Sequence, residues 1–165
     1  MLTSVVVACA AAAIASAAPS GHGLRHADLR ALLVHDPAVS ASNRRLAREG
    51  PPMDGGIDRT RVSYGDLTGD GRADVVVPLF SGGTAGDIAY FVYAVVDGRV
   101  RDILPVNNVY QVGVRIEDHR LVERLPDFRR NDPNCCPSFV TTTVYRWSGG
   151  RLVQQSRVTR RARRP

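Results

Sequence analysis

Lysine is absent from this chain of 165 residues, and all 22 basic residues are arginine. With an alanine-rich start, that bias reads as a GC-rich genome, so arginine usage carries little functional weight. The missing lysine also removes the residue that a phosphate-cradling loop needs. Ser81-Gly82-Gly83-Thr84 has such a loop's composition but neither its lysine nor a following helix, and it is read as a mobile hairpin loop. Cysteine is scarce, with three in all, and the four histidines are scattered, which argues against a metal site built from Cys and His. The chain has no G-x-S-x-G and no H-E-x-x-H, so two common hydrolase signatures are excluded. His22, His26, His35 and His119 fall on linker, helix or turn positions with no nucleophile motif to match. Nor does any long helical pattern alternate with the strands, which excludes a nucleotide-binding parallel sheet.

What is present begins with an uncharged, small and apolar stretch, Met1–Ala18. It is shorter than the about 20 residues that a membrane-spanning helix needs, and it predicts a secretory leader. Ala15-Ser16-Ala17 supplies a cleavage site of small residues. Val6-Val7-Ala8-Cys9 resembles a lipobox, which makes Cys9 a candidate for lipidation. Charge collects at the other end. With the five arginines of the last nine residues set aside, 17 basic residues face 16 acidic ones, a net charge of +1. The basic tail is either a solvated terminus or a contact for an anionic envelope surface. No specific nucleic-acid binding is expected.

The chain divides into a leader (1–18), a linker with a short helix (19–58), a β-rich domain (59–158) and a basic tail (159–165). His26–Val34 has leucines at helical spacing, and Val39–Glu49 is either a second short helix or an irregular arm. Strands are expected at Arg59–Tyr64, Ala73–Phe80, Ile88–Val96, Arg99–Leu104, Val109–Glu117, Arg120–Arg124, Phe139–Trp147 and Arg151–Val158. Asp97-Gly98 and Ser148-Gly149-Gly150 are hairpin turns, and Pro78 implies an edge or a bulge. Of the aromatic residues Tyr90, Phe91 and Tyr93, at least two should face the core. The predicted fold is α+β, predominantly β: an antiparallel meander sheet with one N-terminal helix.

Two motifs carry the remaining information. In YGDLTGDGRADVVVPLF (Tyr64–Phe80), Asp66, Thr68, Asp70 and Asp74 alternate around Gly71, and Arg72 can offer its backbone carbonyl. Calcium takes such oxygen ligands, but Val77 stands where an EF-hand requires Glu, so an EF-hand is excluded. The loop resembles the D-x-[TDN]-x-D-G-x-x-D turn of FG-GAP-like repeats, although it occurs once and supports no propeller. It is either an Asx-type turn with its carboxylates on backbone amides or a calcium site.

The second motif is Asn131-Asp132-Pro133-Asn134-Cys135-Cys136-Pro137-Ser138. In an oxidising compartment its adjacent cysteines form a vicinal disulfide, stay buried as thiols, or pair between chains. Together with VTTTVYRW, these two stretches resemble the LppP/LprE-type family of actinobacterial secreted proteins and lipoproteins, over roughly Arg59 to the last strand. The resemblance implies an exported or lipid-anchored envelope protein without established catalysis, and it transfers no active-site residue. The expected function is therefore a non-enzymatic structural or ligand-binding module. A calcium-stabilised adhesion-like domain and a secreted enzyme using the glycine-rich loop and His119 are the alternatives. Calcium is the one cofactor that the sequence suggests.

Overall fold

A computed structural model describes residues 22–49 and 56–162. The expected leader with Cys9, residues 50–55 and the last three residues of the basic tail lie outside that range. The described chain runs through a 3₁₀ turn (Gly23–His26) and two helices, α1 (Leu29–His35) and α2 (Ala41–Glu49). It continues as β1 (Gly56–Ile57), β2 (Ser63–Gly65), β3 (Asp74–Phe80), β4 (Asp87–Val96), β5 (Arg99–Val106), β6 (Gly113–Glu117), β7 (Arg120–Asp127), β8 (Phe139–Ser148) and β9 (Arg151–Arg161). The α+β, predominantly β reading holds. Two details differ from it: the helical region holds two α-helices, and the strands form two antiparallel sheets.

Each helix starts on a side-chain cap. The Asp28 carboxylate accepts from the amides of Arg30 and Ala31 at 3.0 and 3.1 Å, and the Ser40 hydroxyl accepts from the Asn43 amide at 3.2 Å. Pro37 cannot continue α1, so the chain turns and returns as α2. Asn107, just after β5, latches this helical pair. Its side chain accepts from the Ser40 amide and the Asn43 amide group, and it donates to the Ala38 carbonyl.

The first sheet has the order β1-β3-β4-β5, with β2 also paired to β3; the second has the order β6-β7-β8-β9. Alternation along β3 and β4 divides the core in two. Val75, Val77, Leu79, Ala89, Phe91, Tyr93 and Val95 face the helices. Val76, Tyr90 and Val92 face the second sheet and meet Leu121, Val114, Ile116 and Tyr145. The molecule is thus three-layered, helices on sheet on sheet, and β3 and β4 read as unbroken apolar runs because both their faces are covered.

Pro78 lies inside the first sheet at a place with no neighbour on one side. β1 pairs with Leu79 and Phe80, β2 with Asp74 to Val76, and neither reaches Pro78. β6 begins four residues later than the alternation suggested. Val109, Gln111 and Val112 donate instead to the carbonyls of Ile88, Ala85 and Asp87 as the chain crosses between the sheets. At Gly65 the sheets approach so closely that a Cβ would sit 2.7 Å from Ile116 Cγ2.

Candidate functional site

The Asp66–Asp74 loop is a cage of carboxylates turned onto their own backbone. Asp66 Oδ1 accepts from the amides of Gly69 and Asp70 at 2.6 and 3.1 Å, and Oδ2 accepts from Gly71 at 3.0 Å. Gly69 and Gly71 both sit at φ +80°, in the left-handed region, which makes that wrapping possible. Asp70 accepts from the Arg72 amide and from both ends of its guanidinium. Burial opposes ionisation of Asp70, but these Arg72 bonds prevail and hold its carboxyl below the ordinary range. Asp74 Oδ2 accepts from the amides of Leu67 and Thr68, each at 2.8 Å. Burial outweighs those bonds and pushes the Asp74 carboxyl up. Two buried oxygens, Thr68 Oγ1 and Asp74 Oδ1, have no hydrogen-bond partner.

Among the described residues, no three His, Cys, Asp or Glu side chains converge as a metal-holding group. The five residues proposed from sequence share one loop, but their carboxylates do not converge, and those of Asp66 and Asp70 are occupied by amides and by Arg72. His119 joins them from the second sheet. It occupies the β6–β7 turn with Asp118, both at positive φ (58° and 47°), and its Nδ1 donates to the Asp66 carbonyl at 2.6 Å. Its side chain is 66% exposed, and Asp66 Oδ2 lies 3.8 Å away.

The second site is the β7–β8 loop. Cys135 and Cys136 are joined in a disulfide, with Cα atoms 3.8 Å apart, and both residues are exposed. The loop around them is braced independently of that bond. Asp132 Oδ2 accepts from the amides of Arg129 and Ser138, and Oδ1 accepts from the Ser138 hydroxyl, all at 2.7 Å. The Arg129 and Ser138 donors hold the Asp132 carboxyl below its usual range. The Arg129 guanidinium lies 4.6 Å from the centre of the Phe139 ring. Gln111, itself at φ +51°, donates to the carbonyls of Thr84 and Asn134, so one side chain ties the glycine-rich loop to the cysteine loop. A cavity of about 830 Å³ opens against Asn131, Pro133, Cys135, Cys136 and Arg161.

The arginines read as a tail are in part strand residues: Arg157, Arg160 and Arg161 lie on β9, which is exposed along nearly its whole length. Among the described residues no carboxylate pairs with any of the three.

Two buried carboxylates and a half-buried one escaped sequence reasoning. Glu123, in the middle of β7, accepts from the Tyr90 hydroxyl at 2.7 Å between the sheets. Asp87 pairs with Arg61 at 2.9 Å beside a smaller cavity of about 430 Å³, and burial pushes its carboxyl up against that pairing. Asp102, on β5, meets Asp36, whose own Oδ2 accepts from the Tyr93 hydroxyl at 2.9 Å. Burial pushes the Asp102 carboxyl up to about 7. Asp102 Oδ2 is buried without a hydrogen-bond partner, which agrees with a carboxyl held toward its neutral form. An alternation break at Glu123 was the only signal available in the sequence. Asp36 and Asp102 are far apart in the chain and gave none.

No family model matches this chain, and no solved structure matches it. Its sequence is similar to two proteins named Lipoprotein CseA, from Streptomyces avermitilis and Streptomyces coelicolor. Each is 29% identical over 126 residues, or 76% of this chain. The match covers 56% and 54% of those proteins, so the chain spans little more than half the length of the relatives it matches.

Proposed function

We propose that this chain is an exported, envelope-associated β-rich domain that acts by binding and carries out no catalysis. The similarity over 126 residues to two actinobacterial lipoproteins is the observation that carries this reading. An apolar leader ahead of the domain and an exposed vicinal disulfide agree with it, because such a bond persists in an oxidising compartment. The finer assignment, to the LppP/LprE-type group, rests on the Asp loop and the paired cysteines. His119 supports binding over catalysis: its Nδ1 is spent on a backbone carbonyl and its ring is on the surface. The unpaired Arg157, Arg160 and Arg161 of β9 favour contact with an anionic surface of the envelope. Mass spectrometry of the mature N-terminus from native envelope tests export. A processed end, with or without lipid on Cys9, is expected, and an intact Met1 on a cytoplasmic protein overturns the reading.

The orphaned Thr68 Oγ1 and Asp74 Oδ1 favour a second reading, a calcium-stabilised form of the same domain. Asp66, Thr68, Asp70 and Asp74, with the Arg72 carbonyl, would hold the ion. Calcium would lend the loop positive charge to balance its three carboxylates. The fit is partial, since Asp70 would first have to release Arg72. Calorimetric titration decides it: absence of both heat and thermal shift at millimolar calcium removes calcium from the account.

A further inference from the structure

A disulfide normally stabilises a fold by shortening the loops of the unfolded chain, and its effect grows with the number of residues enclosed. Between neighbours it encloses almost none. The Cys135–Cys136 bond therefore contributes little to stability by that route. Nor does the loop depend on it for its shape. Asp132, Gln111 and the bond from the Ala162 amide to the Ser138 carbonyl at 2.9 Å already fix the loop to β9 and to the Val109–Val112 crossing. The bond is also exposed, where a solution thiol can reach it. Its Cα separation of 3.8 Å is below the range of ordinary disulfides, a geometry that makes a bond easier to reduce.

Its surroundings point to a ligand. Cys135 and Cys136 both line the cavity of about 830 Å³, on a turn that the Cys136 amide closes by donating to the Pro133 carbonyl at 2.9 Å. The covalent ring holds the two sulfurs together beside the cavity. Pro133, Pro137 and Phe139 extend the apolar wall, Asn131 brings an amide, and Arg161 brings a guanidinium; the Asp132 carboxylate also lines the cavity, but the Arg129 and Ser138 amides and the Ser138 hydroxyl already occupy both its oxygens. A planar fork of N–H donors suits a carboxylate or other oxyanion. A flat apolar wall beside an amide suits a sugar ring.

We propose that the Cys135–Cys136 ring is a reversible dithiol–disulfide switch, and that its oxidised form completes a cavity for an acidic sugar whose carboxylate binds Arg161. This deepens the binding reading above and rests on it. Reduction proceeds by exchange with a dithiol. One thiolate of the reductant attacks a cysteine sulfur, the Cys135–Cys136 bond breaks as a mixed disulfide forms, and the released thiolate takes a proton. The second thiol of the reductant then displaces the remaining protein sulfur, which is protonated in turn. Two electrons pass to the protein, which ends with two thiols, and the reductant leaves as its cyclic disulfide. The freed side chains part, and the wall is lost.

The test uses the full folded chain with sodium glucuronate as probe and glucose as its neutral counterpart, followed by amide NMR shifts. Millimolar glucuronate should move amides of residues 131–139 and 161–162, and glucose should move none. Arg161→Gln, at an exposed position, should weaken glucuronate at least tenfold. Dithiothreitol should raise the number of free thiols by two per chain, over any contributed by Cys9, without unfolding it, and weaken glucuronate at least tenfold. By linkage, a tenfold preference for the oxidised form moves the pair's midpoint by roughly 30 mV when glucuronate saturates. The double variant C135S/C136S should match the reduced chain. Equal binding of glucose and glucuronate, or an unaffected Arg161→Gln, overturns the ligand. A bond that yields to dithiothreitol only on unfolding, or reduction without loss of affinity, overturns the switch. Neither result touches export, which the mature N-terminus tests separately.

Discussion

The two sheets differ in what covers them. The first lies between the helices and the second sheet, and its central strands are buried along nearly their whole length. The second is covered on one face, and its last strand is exposed at all but Leu152. Residues of the same type therefore do different work in the two places. A valine on β3 holds two layers together; Val153 and Val158 on β9 are 39% and 45% exposed. The carboxylates differ as well. Asp102, in the first sheet, is held toward its neutral form by burial, whereas Asp132, at the end of the second, is held ionised by amide donors. The covered sheet carries the stability, and the bare one carries the accessible chemistry: the disulfide, the larger cavity and the free arginines.

The sharpest way to break this comparison is to cut one side chain from each sheet. Phe91→Ala empties a fully buried site in the first sheet and should cost about 3–5 kcal/mol in denaturant unfolding. Val158→Ala should stay within about 0.5 kcal/mol. Equal losses would mean that the second sheet carries as much of the core as the first.

The contact between the sheets comes next in size. Glu123→Leu leaves the Tyr90 hydroxyl buried without an acceptor and should cost about 1–3 kcal/mol. Tyr90→Phe/Glu123→Leu removes both polar partners and should recover most of that loss. A double-mutant cycle with no coupling would show that the two groups act independently.

Smaller still is the opposed pH response of the two regions. The Asp102 carboxyl is raised from 3.8 to about 7, so the folded chain holds its proton where the unfolded chain has released it. The resulting stability is complete below about pH 4 and is lost as pH rises through about 7. The loss should be of order 1 kcal/mol, once screening of a partly exposed group is allowed for. Asp102→Asn should flatten the curve, and a wild-type slope that survives this substitution would assign it to another group. Asp132 is lowered, so its contribution is present above the ordinary carboxylate range and is lost as pH falls. The smallest predicted effect is thus local. Protection factors for hydrogen exchange at Arg129 and Ser138 should fall as pH drops below the ordinary carboxylate range, while the core of the first sheet stays protected. A uniform fall would dissolve the contrast.

Much of the architecture was legible because it depends on near neighbours. Asp97-Gly98 and Gly149-Gly150 turn at positive φ as their residue types require, and the strands flanking them follow. The Asp66–Asp74 loop was recognisable because its hydrogen bonds close within eight residues. The second helix was ambiguous because α2 presents few apolar residues, and Asn107, far along the chain, holds it in place. Most strands of the meander were legible, but the one expected at Arg59–Tyr64 begins only at Ser63, and β1 falls in a segment read as linker. The division into two stacked sheets was not legible, since the break at Val109–Val112 alternates like a strand until Gly86, Asp87 and Ile88 are brought against it.

Sequence alone determined most of the strands, the turns, the Asp loop and the adjacency that lets Cys135 reach Cys136, because backbone sterics and short-range hydrogen bonds act over a few residues. Tertiary structure decided which carboxylates lose water, which face of each sheet is covered and which arginines stand beside the disulfide. Burial is a property of distant segments meeting. Asp102 is an ordinary surface-type acid until the helical pair brings Asp36 against the sheet and burial pushes its carboxyl up.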